Sequence, residues 1–319
     1  MACLLLACGA AMVTPVTQAN REYWAFTAPW DPRSATSVRA NARQLDAVVT
    51  GWIQLDSITG QPFTEFPDSL SRSMSGARPM VIVANAVAGR FHPAPMRRLG
   101  RNPSALGRAA GAIARTAATG GYRGMVIDIE ALGPADLDVT RTVVRAIADS
   151  ARARGVVPIA VAIPALDTAA YPARVFFPAA DYVLAMLYDE HWTTSPPGPI
   201  ASPDFVRRAL ALRVAEVGPN KVVAALPLYG YRWPLNRPAT DISYDEARRD
   251  AASAGVELRR DPATQTLRAS RSGEWELWVS DAGLLAALLR EVDAAGVRRV
   301  ALWRLGQEDP AVYDLLQRR

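Results

Sequence analysis

The chain has 319 residues, half of them apolar, with a formal charge of +5 and a pI near 9.5. That length buries a large core, as one big α/β unit or as two smaller domains. No Lys/Arg run with interleaved aromatics occurs, so a nucleic-acid surface is not indicated. The only cysteines, Cys3 and Cys8, fall in the first ten residues, which excludes a disulfide, a thiolate metal site or a cysteine nucleophile from the rest of the chain. Two histidines, His92 and His191, are too few for a His-rich metal site. The mild basic excess suits an acidic polymer or an anionic envelope, but is more simply read as the mark of a GC-rich genome that favours Arg over Lys.

Met1 to Ala19 carries no charge, and its first dozen residues are apolar or small. Residues 1–20 are expected to be an export signal shortened at its basic start. Leu5-Leu6-Ala7-Cys8-Gly9 resembles a bacterial lipobox, in which Cys8 becomes a lipidated membrane anchor. The expected location is therefore the cell envelope, periplasmic or extracellular.

Eight short apolar runs follow: Tyr23 to Phe26, Ala47 to Ile53, Pro79 to Ala84, Met125 to Ile129, Pro158 to Ile163, Tyr182 to Leu187, Val222 to Leu226 and Val300 to Trp303. Near-continuous apolar runs suit parallel strands covered on both faces. Stretches of helical period separate several of them: Pro103 to Thr119, Ala135 to Arg154, Pro203 to Val217 and Asp281 to Ala295. No glycine-rich phosphate turn follows the first run, which argues against a doubly wound sheet. The pattern predicts one (β/α)₈ TIM barrel over 21–319. Between Asp241 and Val279 the order changes to helix (Tyr244 to Ala254), strand (Val256 to Arg260), turn and strand (Gly273 to Val279), which predicts a small α+β insertion after the seventh strand.

The fourth run ends in two acids, Asp128 and Glu130. Alternation puts Val126, Asp128 and Glu130 on one face, each about 6.5–7 Å from the next. Two inward acids at the C-terminal end of a barrel strand are costly unless used or well hydrogen-bonded. Close carboxylates push each other's pKa values apart, so one stays protonated as a general acid. The competing reading is an exposed pair on a loop beyond a shorter strand.

The segment resembles the fourth-strand signature of glycoside hydrolase family 18, D-x-x-D-x-D-x-E, with Asp128 and Glu130 as its last two acids and Arg123 and Val126 where the earlier two stand. Met186-Leu187-Tyr188-Asp189 resembles the family's sixth-strand M-x-Y-D. Leu226-Pro227-Leu228-Tyr229-Gly230 resembles its L-P-x-Y-G, and Leu302-Trp303 its closing strand. Members related to spore-cortex lysins relax the acid motif in the same way. The strings around His191-Trp192 and Trp303 are similar to family 18-like domains fused to bacterial polysaccharide deacetylases and glycosyltransferases.

The resemblance implies a glycosidase acting on β-linked N-acetylglucosamine polymers without cofactor or metal; a monomer is expected, although no motif bears on oligomeric state. It implies Glu130 as acid and base, Asp128 as the partner of the acetamido N–H and Tyr188 as the donor to the acetamido oxygen. Asp189, Trp303, Trp24, Tyr229, His191 and Trp192 are the expected substrate contacts. Chitin, peptidoglycan and an exopolysaccharide all carry the required group. A chitinase-like lectin and a scaffold domain in polysaccharide export are the two non-catalytic alternatives.

Overall fold

The computed structural model describes residues 21–317; the signal-like segment and Cys8 lie outside them. The eight apolar runs form strands β1 (Glu22–Phe26), β2 (Ala47–Leu55), β3 (Arg78–Ala84), β4 (Met125–Asp128), β5 (Ile159–Pro164), β6 (Tyr182–Met186), β7 (Val222–Pro227) and β8 (Arg299–Trp303). Each pairs in parallel with the next, and β8 pairs with β1, so the sheet closes into a TIM barrel. Around it run α1 (Pro32–Asn41), α2 (Pro93–Gly100), α3 (Pro103–Thr119), α4 (Leu137–Arg152), α5 (Pro203–Val217), and, past the insertion helix α6 (Tyr244–Ser253), α7 (Ala282–Ala294) and α8 (Val312–Leu316). A two-residue antiparallel strand (Pro62–Phe63) and irregular chain follow β2, and a single 3₁₀ turn (Ala173–Phe176) follows β5, where the repeat would place full helices.

Helix starts follow local chemistry. Asn102 caps α3 by accepting from the Ala105 N–H, with Pro103 in the first helical position. Ser202 and Pro203 do the same for α5, and Ser243 with Glu246 forms a capping box on α6.

Strand alternation divides the core. Trp24, Phe26, Met80, Ile82, Val126, Ala160, Leu184, Val223 and Ala301 fill the barrel. Their neighbours in sequence, such as Tyr23, Val81, Ile127, Val183 and Val300, pack under the helices. β2 breaks this parity. Its register against β3 shifts between Val49 and Gly51, a bulge that puts an even-numbered residue, Trp52, on the same inner face as Ala47 and Val49. Gly51 is required there: a Cβ would lie 2.3 Å from the Tyr122 ring.

The insertion is a five-stranded sheet in the order Thr240–Ile242, Gly230–Pro234, Trp275–Val279, Leu267–Arg271, Arg259–Arg260. It begins at Gly230, directly after β7, rather than at Asp241. The expected strand from Val256 shrinks to Arg259–Arg260, and Leu267–Arg271 is an additional strand. One face packs Ile242, Leu277 and Val279 on α6; the other turns Tyr231, Trp233 and Trp278 toward the barrel mouth. Gly230 lets the two backbones meet, since a Cβ there would lie 2.2 Å from the Trp278 carbonyl oxygen.

Candidate active site

At the C-terminal mouth of the barrel lies a cavity of about 820 Å³. Asp128 and Glu130 line it together with Phe26, Trp52, Tyr188, Asp189, Trp192 and Trp303. Asp128 is the last residue of β4 and faces Ala84 of β3; Glu130 lies two residues beyond the ladder. Directly after it Ala131 has φ +62°, a left-handed conformation that costs an L-residue about 1 kcal/mol and persists only where its surroundings hold it.

The two carboxyls share a hydrogen bond in an apolar setting. Burial lifts Asp128 to about 6, and the bond from Glu130 opposes that rise. Glu130 is raised well above the ordinary range, first by burial, then by the charge and hydrogen bond of Asp128 and by the charge of Asp189. Both directions are upward, so the pair keeps a proton to a higher pH than a free carboxyl would, with Glu130 the more strongly raised of the two. Asp128 Oδ1 is buried and has no hydrogen-bond partner, an acceptor open to a donor from a ligand.

Tyr188 lines the same cavity as the acids. Burial and the nearby carboxylates keep its hydroxyl protonated far above its ordinary range, so it remains a donor. Its ring lies nearly parallel to that of Trp303, 18° apart with centroids 6.4 Å apart. Trp303 meets Phe26 at 5.5 Å and Trp52 at 6.2 Å, and Trp52 meets Trp30 at 5.0 Å, so aromatic surface extends from the floor to one rim. Arg304 anchors that rim from behind, bonding Asp31 at 3.2 Å and Asp241 at 2.9 Å. Asp189 has φ +56°, tolerable for an Asx residue, and its carboxylate accepts from the Tyr229 and Tyr231 hydroxyls.

Of the residues singled out from sequence, Glu130, Asp128, Tyr188, Asp189, Trp303 and Trp192 meet around this one cavity. Tyr229 stands behind Asp189 as its hydrogen-bond donor and does not line the cavity. Two expected sugar contacts are corrected. Trp24 is wholly buried one layer below Phe26, where β1 pairs it with Ala47 and Ala301. His191 turns away: its ring packs on Gly198, where a Cβ would come within 2.5 Å, and Nδ1 meets the Pro196 carbonyl at 3.0 Å.

Sequence reasoning passed over Phe26, Trp52 and Asn85. Asn85 follows β3, is fully buried, and bonds both backbone groups of Glu130. It also passed over Arg213 of α5, whose guanidinium is fully buried. Arg213 donates to the carbonyls of Pro164, Ala165, Tyr171 and Asp167 and to Glu216, holding the loop after β5 that walls the cavity. Among the described residues no group of His, Cys, Asp and Glu is placed to hold a metal, and no helix is long and apolar enough to cross a membrane.

In fold the chain resembles glycoside hydrolase family 18. A family 18 chitinase from Cycas revoluta superposes with a TM-score of 0.77 at 16% identity, over 92% of this chain and 98% of that one. The spore cortex-lytic enzyme SleL of Bacillus megaterium QM B1551 superposes with a TM-score of 0.83 at 21% identity, over 94% of this chain and 74% of that one. A Bacillus subtilis protein bearing the name of a sporulation-specific glycosylase, YdhD, is 30% identical over 161 residues, 49% of this chain and 38% of its own length. The chain thus spans well under two thirds of that relative. No family model matches.

Proposed function

We propose that the cavity is the active site of a retaining glycoside hydrolase that cleaves β-linked N-acetylglucosamine polysaccharide with the help of the substrate's own acetamido group. The observation that carries this reading is geometric: Asp128 and Glu130 line one cavity at the barrel mouth with Tyr188 and Trp303, and the buried Asp128 Oδ1 lacks a donor.

In the proposed reaction Glu130 gives its proton to the glycosidic oxygen as the C1–O bond breaks. The acetamido carbonyl oxygen closes on C1 from the opposite face and forms a cyclic oxazolinium ion, so no enzyme nucleophile is needed. The acetamido N–H donates to Asp128, whose negative charge stabilises the positive ring. The Tyr188 hydroxyl donates to the acetamido oxygen and holds it close to C1. The Trp303 face supports the apolar side of the sugar. Glu130, now a carboxylate, takes a proton from water as that water attacks C1; the ring reopens and Glu130 is protonated again.

Such a substrate lies at the cell envelope, and that is the proposed site of action. The relatives named for sporulation and spore cortex favour peptidoglycan among the candidate polymers. The test is product release from acetylated glucosamine oligomers, chitin and peptidoglycan by the wild type and by Glu130→Gln. Cleavage that forms the β-anomer first and is lost in the variant supports the reading and names the polymer. Binding without turnover by the wild type makes the protein a lectin; neither binding nor turnover makes it a scaffold.

A further inference from the structure

β4 leaves its ladder at Asp128, yet Glu130 sits further on, half-buried beside the cavity, with no strand partner for its backbone. Backbone groups that lose their ladder need other partners. Those of Glu130 find them in one side chain. The Asn85 amide accepts from the Glu130 N–H through Oδ1 at 2.9 Å and donates to the Glu130 carbonyl through Nδ2 at 2.9 Å. This is the paired geometry of two peptide groups, so the side chain of Asn85 extends β3 by one residue after its main chain has turned away.

The second Nδ2 proton goes to the His92 carbonyl at 3.1 Å, and the Asn85 carbonyl accepts from the His92 N–H at 2.9 Å. Those bonds close the hairpin of Ala86–Val87 and Arg90–Phe91, whose turn residues Ala88 and Gly89 both have positive φ. Gly89 and Phe91 line the cavity. Asn85 is fully buried and uses three of the four bonds its amide can make. No other natural side chain of this size offers an acceptor and two donors.

We propose that Asn85 is the positioning residue of the acid: it fixes Glu130 beyond the end of β4 and couples its position to the cavity-lining hairpin. Asn85 touches no reacting atom; it acts through the Glu130 main chain. The inference rests on the role proposed for Glu130. A misplacement of about 1 Å in such a group costs on the order of 100-fold in rate.

The test compares wild type, Asn85→Ala and Asn85→Asp. Asp keeps the size and the acceptor for the Glu130 N–H but loses both donors, so it serves if Ala does not fold; thermal unfolding reports on both. Three quantities are read: kcat and KM on the oligomer that the wild type cleaves, hydrogen exchange of the Glu130 amide, and titration of the Glu130 carboxyl carbon by NMR. In a folded variant kcat falls about 100-fold while KM stays within about threefold. In Asn85→Ala the Glu130 amide exchanges at least tenfold faster, and the carboxyl titrates at lower pH as it gains access to water. Unchanged kcat in a folded variant, or an equal rise in KM alone, overturns the proposal. If the wild type cleaves nothing, the proposed function fails, and exchange and titration decide the clamp by themselves: neither changing overturns it.

Discussion

The lower and upper halves of the barrel interior are built from the same strands in opposite ways. Below, Trp24, Ala47, Met80, Ala160 and Val223 close an apolar plug. Further along the barrel strands the inward positions are Phe26 on β1 and Asp128 on β4, and the chain beyond adds Glu130 and Tyr188. The lower layer gains stability from apolar burial. The upper layer spends some of it on a buried acid pair and an acceptor with no partner. Substitutions below are therefore expected to change stability and leave turnover intact, and those above to do the reverse.

The largest effect tests the upper half. Glu130→Gln is expected to lower kcat by about 10²–10⁴-fold, the range of a general acid, while its melting temperature equals or exceeds that of the wild type. A loss of stability in step with activity would place Glu130 among the structural groups. Next, Trp24→Ala is expected to cost about 3–5 kcal/mol in urea unfolding, with KM unchanged in the folded fraction. A rise in KM alone would return Trp24 to the substrate surface from which its depth in the barrel removes it.

The third prediction uses the pH dependence. Burial raises Asp128 from its ordinary 3.8 to about 6. Between those values the folded chain keeps a proton that the unfolded chain has lost, so stability falls as pH rises through the window. Asp128→Asn removes the buried charge. It is expected to be more stable than wild type near neutral pH, by on the order of 1–3 kcal/mol, with the gain fading below about pH 4 and activity lost at every pH. Because the two acids titrate as a pair, Glu130→Gln flattens part of the same slope. A gain independent of pH would separate Asp128's cost from its charge.

How much of this was legible depended on whether function followed strand parity. Eight apolar runs announced the barrel because parallel strands covered on both faces admit little else. Asp128 and Glu130 stood out as acids ending such a run. Parity gives the face of a residue and not its depth, so Trp24 read like a cavity aromatic although its fellow Phe26 reaches the cavity. Trp52 was hidden by the bulge before Gly51, which reverses parity in mid-strand. The strand Leu267–Arg271 has only Leu267 and Ala269 as apolar residues, too weak an alternation to register. Asn85 reads locally as a turn residue, and its partner lies 45 positions away; no local pattern contains that contact.

The smallest effect sharpens the comparison at its outer edge. Trp192 is 49% exposed and lines the cavity from the loop after β6, where its indole N–H bonds Thr194 at 3.0 Å. Being half open to water, it contributes little to the core, and it stands outside the chain of ring contacts that joins Trp303 to Trp52 and Trp30. An aromatic surface there binds sugar equally in the ground and transition states, which changes KM and leaves kcat alone. Trp192→Ala is therefore expected to raise KM for a long oligomer by about three- to tenfold, with kcat and melting temperature unchanged. The shortest cleavable oligomer, if it does not reach the loop, should show no change at all. Equal effects on short and long substrates would mean that Trp192 belongs to the reacting sugar, and the division between a chemical floor and a merely adhesive rim would have to be redrawn.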